Sequence, residues 1–400
     1  MTGPTALAAE SRASSDTARQ VIPWRLFAAE TVTGRIVEDV PFVGAPQWVY
    51  GLNQAGSLQV TVPIGPLDKA RLRSLLDYWR ISWGIAWGHH IWQCGPVVTY
   101  RYSDVDGPPV VNIGCAGIWT LLTTKRVIAN PSWVGTNIAD AAADTVLTGL
   151  SLHTIAKRLV QNDMTRSGNL PIVLPADITG TAERTYPGYD LAYVGERLAQ
   201  LTQVIDGPEV EFRPEYTDST RTAVQWRMRI GDPRLGDLGL PHAWDYQRAL
   251  THVDEDGDGS QQQMETWVRG NGMERSLLTG HYTDTSLVTA GWPKLENIDG
   301  NHASATEQAT LDGWAQADVQ TYRRGITKWA GRVRIDGTDG RDNTTGSPSM
   351  DSVSVGDNAF FQVRDHRWIP DGVYGQRVLS ISSGGDMHTA ALGLMEVATA

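Results

Sequence analysis

The sequence predicts a mainly β fold with α+β character, built from two barrel-like β domains and a helix-on-sheet domain. Three observations carry this expectation. Short strands separated by turn residues crowd the chain from about residue 22 to 130. Leu191, Val194, Leu198, Leu201 and Ile205 then mark one helical stripe, followed by strict alternation at Val224, Trp226, Met228 and Ile230. From residue 336 the chain returns to short strands, divided by Gly356-Asp357, Pro370-Asp371-Gly372 and Gly384-Gly385. The expected division is a flexible arm over 1–21, a β-barrel over 22–130, an α+β domain over 131–250, a mixed linker and helix region over 251–335, and a barrel-like β domain over 336–400.

Composition narrows the function. With 34 basic and 45 acidic residues the net charge is −11, and no Lys/Arg-rich block exists, so specific nucleic-acid binding is not expected. Trp outnumbers Phe 15 to 5. Trp suits interfaces and sugar sites, although barrel cores account for most of these rings. Cys94 and Cys115 lie on opposite arms of a hairpin and read as buried, reduced thiols rather than a disulfide framework. No apolar run is long enough to span a bilayer. Residues 1–20 lack the basic and apolar regions of a signal peptide and read as an arm that orders on a partner.

In chain order, Trp24–Ala28, Thr31–Val37 and Trp48–Gly51 read as strands. In Gly56–Ile64, Leu58, Val60, Val62 and Ile64 share one face. Leu72, Leu75, Leu76 and Trp79 form a helical stripe, with Asp68 as N-cap. Ile91–Tyr102 and Val110–Leu122 form a hairpin across the Ser103–Gly107 turn. Asn137–Val146 and Ser151–Val160 read as helices, and Leu170–Leu174 as a strand. The helix from Leu191 takes Asp190 as N-cap. Strands follow at Glu209–Arg213 and Thr222–Ile230, then loops to about Gly259. Glu265–Gly270 is a strand, Ala305–Arg323 a helix burying Leu311, Trp314, Ala315 and Tyr322, and Trp329–Ile335 a strand. Asp336–Ser349 reads as a flexible stretch before the last β unit.

Three segments carry a resemblance. Gly56-Ser57-Leu58-x-Val60-x-Val62-Pro63, a short helix ending at Trp79-Arg80, and Ile91-Trp92-x-x-Gly95-Pro96-Val97 resemble the opening of actinobacteriophage minor tail proteins of the siphophage tail-hub (baseplate hub) class. Gly114–Leu122 before Lys125-Arg126 resembles the strand that closes the first domain of these proteins. Tyr189-Asp190-Leu191, then Gly207–Pro214 and Trp226-Arg227-Met228-Arg229, resemble their second domain. The resemblance implies two tube-like β domains per chain and a homotrimer. Its ring would adapt a sixfold tail tube to threefold tip proteins and line or gate the DNA channel. It also implies the distal tail protein, the tape measure protein and other minor tail or fibre proteins as partners, and a place at the virion tail tip after assembly in the host cytoplasm. On this reading the acidic balance keeps DNA from sticking to the lumen.

Catalytic chemistry finds little support, and no catalytic, cofactor or metal residue is assigned. Asp254, Asp256, Asp258, Gly259 and Glu265 match the EF-hand calcium pattern. Gln261, however, stands where that loop carries an apolar residue, and Glu265 opens a strand where an EF-hand needs a helix. An acidic turn between strands accounts for the match. His89-His90 is not a zinc motif and reads as a turn pair, and the other histidines are scattered. No nucleophile elbow, P-loop or dinucleotide fingerprint occurs. The expectation is a non-enzymatic structural subunit. The alternative is a receptor- or carbohydrate-binding tail protein using exposed Trp rings, and a cell-wall hydrolase is a weaker third reading.

Overall fold

A computed structural model describes residues 24–105, 107–126, 133–168, 170–204, 206–236, 242–302, 305–339 and 346–396. The expected arm over 1–21 lies outside the described residues. The protein is mainly β with α+β elements.

The first block contains β1 (Trp24–Glu30), β2 (Ile36–Asp39), β3 (Val43–Gly51), β4 (Ser57–Pro63), α1 (Lys69–Ser74), β5 (Ile81–Trp87), β6 (His90–Ser103), β7 (Val110–Ala116) and α2 (Ile118–Leu122). In β4 the alternation holds: Leu58, Val60 and Val62 are buried, and the strand lies antiparallel between β3 and β7. Asp68 caps α1 by accepting from the backbone N–H of Ala70 and Arg71. The long strand β6 changes partner midway. His90–Pro96 pairs with β5, and Val97–Ser103 with β7. At the crossover a Cβ on Gly95 would stand 1.8 Å from the Ala116 carbonyl oxygen, so only glycine fits.

Three expectations fail in this block. Trp79 is not on the helix. Leu75 already ends α1, its carbonyl accepting from Trp83 Nε1, and the chain turns so that the Trp79 N–H reaches the Val97 carbonyl. Ile118–Leu122 is helical rather than strand, because the chain leaves the sheet at Gly117, whose N–H binds the Gly56 carbonyl. Thr31–Val37 holds a turn before β2, with Gly34 at φ +71° pressed against the Val224 carbonyl.

The second block contains β8 (Thr145–Leu150), α3 (Leu152–Ser167), β9 (Ile172–Val173), β10 (Ala182–Tyr186), α4 (Val194–Thr202), β11 (Val210–Tyr216) and β12 (Val224–Ile230). β11 and β12 are antiparallel, and β9 adds in parallel to β12. Val224, Trp226, Met228 and Ile230 all turn inward. Asn137–Val146 is not a helix: its alanines form one 3-10 turn, and the next residues pair with β10, so tertiary pairing overrides helix propensity. Helix α4 starts at Val194, three residues later than the pattern implies, because Leu191 is left-handed at φ 50°. Asp190 therefore does not cap it and binds Arg197 at 2.8 Å instead. This block shares a core with the first: Phe27, Ile91, Cys94 and Trp119 pack with α3, α4 and β12, and Trp226 Nε1 donates to the Cys94 carbonyl at 3.0 Å.

The rest comprises β13 (His242–Asp245), β14 (Leu250–Asp258), β15 (Glu265–Arg269), β16 (Thr279–Thr283), α5 (Ser286–Thr289), β17 (Glu296–Asp299), α6 (Gln308–Tyr322), β18 (Ile326–Arg334), β19 (Asn358–Val363), β20 (Gly372–Ser383) and β21 (Thr389–Glu396). The region after Gly231, expected as loop, thus holds β13 and β14. Charged residues hide the period of β14, in which only Leu250 and Val253 are buried. Helix α6 buries Leu311 and Ala315 as expected and adds Val319, whereas Trp314 and Tyr322 are only partly covered.

One 13-stranded sheet runs β14-β18-β21-β20-β3-β4-β7-β6-β5-β1-β2, with β19 and β13 branching from β20. The junction is β20, whose first half pairs with β19 while Ser380–Ser382 pairs with Val49–Gly51 of β3. One apolar cluster accordingly joins Trp48, Leu58 and Trp92 of the first block to Trp244, Phe361 and Leu392 of the last.

Candidate assembly surface and buried polar junction

Alternation along β6 places Tyr100 and Tyr102 on one face, opposite Ile113 and Val111 of β7. Tyr100 stacks on Tyr78 with ring centroids 5.6 Å apart and planes at 19°. Trp79 follows at φ 62°, a left-handed conformation that costs a bulky residue energy. Two clefts lie in this region, and Trp79 lines the first. One, of about 490 Å³, includes Trp79 with Val32, Leu121, Lys125 and Leu170. The other, of about 420 Å³, lies under Tyr100 and Tyr102 against Leu72 and Leu76, with Lys69 and Arg73 at its margin. All four aromatic residues are 39–53% exposed. Neighbouring exposed rings of this kind, amid cations, have the composition of a protein–protein contact. Sequence reading noticed Trp79 only as a helix residue and missed Tyr100 and Tyr102, although their i, i+2 spacing was visible.

The calcium pattern is not brought together. Asp254, Asp256 and Asp258 sit on a strand, register-matched to Ala330, Lys328 and Ile326 of β18. Successive carboxylates on one strand face are about 6.6 Å apart along the chain, so the outer two stand about 13 Å apart and cannot wrap one ion. Glu265 lies in a different sheet and is bound by Lys294, by His281 at 2.6 Å and by Thr283 at 3.2 Å. Lys294 and then His281 hold its pKa down to about 2. Among the described residues no three metal-ligating side chains cluster. Instead β14 ends the large sheet, and its acidic side chains guard an edge that pairs with no strand on its outer side among the described residues.

The blocks meet at a buried polar junction. Arg377 on β20 is 3% exposed and makes two hydrogen bonds to Glu209, plus single bonds to the Leu235 and Gly356 carbonyls. Nearby, Arg213 on β11 donates to His90 Nδ1 at 3.2 Å and to Ser354 Oγ at 2.8 Å, touching the first and last blocks at once. Burial, then the Arg213 charge, pushes the His90 pKa down to about 3, so its ring is neutral and accepts. Glu211 is buried against Arg229 at 2.6 Å, and burial raises its pKa. Of the expected His89-His90 turn pair, only His89 sits in the turn after Gly88; His90 opens β6 and pairs with Trp87. Cys94 and Cys115 are buried free thiols, and burial pushes Cys115 up to about 12. Seven of the fifteen Trp rings are buried, while Trp267, Trp292 and Trp368 join Trp79 among the exposed ones, Trp368 bonding Glu255 through Nε1.

No helix among the described residues is long and apolar enough to cross a membrane. No family model and no curated protein matches the sequence. Solved structures do. The 43 kDa tail protein of prophage MuSo2 from Shewanella oneidensis superposes with a TM-score of 0.58 at 10% identity, over 94% of this chain and 98% of that one. The tail protein from Neisseria meningitidis MC58 gives 0.55 at 13% identity, over 93% and 96%. The Francisella PdpA-VgrG complex gives 0.50 at 8% identity, and there the match covers 58% of the other chain. The chain has the fold of phage and prophage tail proteins.

Proposed function

We propose that this chain is a structural, non-enzymatic subunit of a long-tailed phage tail tip, the hub of a siphophage. Three copies close a ring that matches the sixfold tail tube on one side and threefold tip proteins on the other, with the DNA channel through its centre. In each copy β1–β7 form one tube domain, and β13, β14 and β18–β21 form the second, with the helix-on-sheet block fastened between them. The distal tail protein, the tape measure protein and further minor tail or fibre proteins are its partners.

The observation that supports this reading most is the single sheet that joins two β units through β3 and β20. Two β units per chain, locked in one orientation, are what a threefold ring needs to present six similar walls. The exposed Tyr78–Tyr102 surface suits a contact with another subunit or a partner. Electron microscopy of the purified chain over a range of concentrations tests the proposal. Threefold rings around a hole are the expected result. Particles that stay monomeric both alone and with the distal tail protein as template would overturn the hub and bring forward the receptor-binding alternative.

A further inference from the structure

Between β14 and β18 the chain inserts a small unit of its own, the sheet β16-β15-β17 with α6 across one face. Where α6 ends beside β17 a cleft of about 380 Å³ opens, lined by Ser260, Gln261, Gln263, Asn297, Asp318 and Tyr322. Its chemistry differs from that of the two clefts near the tyrosine face: it is walled by amides, a serine hydroxyl, two carboxylates and Tyr322.

Most of these groups are uncommitted. Gln263 is only 6% exposed, yet its side-chain amide has no hydrogen-bond partner among the described residues, while its backbone N–H is held by the Tyr322 carbonyl. Its amide atoms are not among the buried unpaired groups, so they are reached from the cleft and are available to a ligand there. Asp318 likewise faces no donor among the described residues. Its pKa is raised by burial and then by Asp299. Two other wall residues are already engaged: Gln262 donates to the Arg323 carbonyl, and Glu296 accepts from Lys294 at 3.0 Å.

Planar amides and carboxylates present pairs of polar atoms spaced to meet adjacent hydroxyls of a ring. The cleft lining includes no cation, and the Asp318 carboxylate repels anions, whereas Glu296 is paired with Lys294. From this geometry we propose that the cleft binds one neutral sugar unit of a surface glycan, with Gln263, Asn297 and Asp318 bonding its hydroxyls. The inference is independent of the hub reading, because it rests on the inserted unit alone.

The test is saturation-transfer NMR on the full chain with glucose, galactose, mannose and N-acetylglucosamine, using glucuronate and inorganic phosphate as anionic comparators. At least one neutral sugar should bind with a millimolar Kd, and glucuronate more weakly. Asn297→Ala and Asp318→Ala should each weaken binding by about tenfold or more, with thermal melts confirming folded protein. Gln261→Ala, at the cleft mouth, gives a variant that removes no buried group and should weaken binding less. Absence of binding by all four neutral sugars at tens of millimolar overturns the proposal. So does binding unchanged by both Asn297→Ala and Asp318→Ala, or a preference for the anions.

Discussion

Arg377 and Glu209, 168 positions apart in the chain, meet through two parallel hydrogen bonds of 2.5 Å each. One residue belongs to the long strand β20 and the other precedes β11, so the pair ties the last β block to the helix-on-sheet block. Two further guanidinium N–H groups reach the Gly356 and Leu235 carbonyls, and the Leu235 N–H returns to Glu209.

Removing one partner of such a pair leaves an uncompensated charge. Arg377→Met should cost about 3–5 kcal/mol in urea unfolding. Arg377→Lys, a point donor in place of a planar fork, should recover only part of that loss. A double variant, Arg377→Met with Glu209→Gln, should be less destabilised than the sum of the singles. Additive losses would show that the two residues do not act as a pair.

His90 predicts an acid limb to the stability curve. Its folded pKa is depressed to about 3 from an ordinary 6.5, so the folded state favours the neutral ring. The contribution is therefore complete above pH 6.5 and is lost as pH falls from there toward 3. Between pH 7 and pH 5 the wild-type Tm should drop, and His90→Gln should flatten that drop. Equal pH slopes for the two proteins would contradict the assignment.

Gly117 marks the point where the chain leaves the first sheet for α2. A Cβ there would lie 1.5 Å from the Ala55 carbonyl oxygen, a backbone atom that cannot swing away. Gly117→Ala should cost about 2 kcal/mol or more by forced backbone movement. Gly107→Ala, where a Cβ meets nothing within 4 Å, is the control and should be nearly neutral.

The Tyr100–Tyr102 face separates assembly from folding. Both rings are about half exposed, so Tyr100→Ser with Tyr102→Ser should change the stability of the isolated chain by about 1 kcal/mol or less. Under the proposed function, sedimentation should show association weakened by about tenfold or more. Association that is unaffected would remove this face from the interface.

Because Asp254, Asp256 and Asp258 are strung along β14, millimolar calcium should leave the Tm unchanged, and Asp256→Asn should not alter that result. A ligand that binds only the folded state raises Tm. A calcium-dependent rise abolished by Asp256→Asn would mean that the strand rearranges into a site.

The amino-acid sequence by itself determined β4, β12, α6, the first part of α3 (which runs on past the expected end at Val160 to Ser167), the mainly β class, and the buried thiols. In each case the signal is local: apolar residues recur at a period of two or near 3.6, and Asp68 and Ser151 mark helix starts that the structure keeps. Tertiary structure decided the rest. β14 is a strand because β18 offers it a partner, not because its acidic residues favour one, and the same pairing turns an apparent calcium loop into a sheet edge. The alanines before β8 yield to β10, and Trp79 leaves its helix because the Val97 carbonyl claims its N–H. The contacts that lock the blocks, Arg377 with Glu209 and Arg213 with His90 and Ser354, join residues more than a hundred positions apart. Which charge meets which across such distances depends on how the sheet curves and where β20 changes partner, and no periodicity along the chain records it.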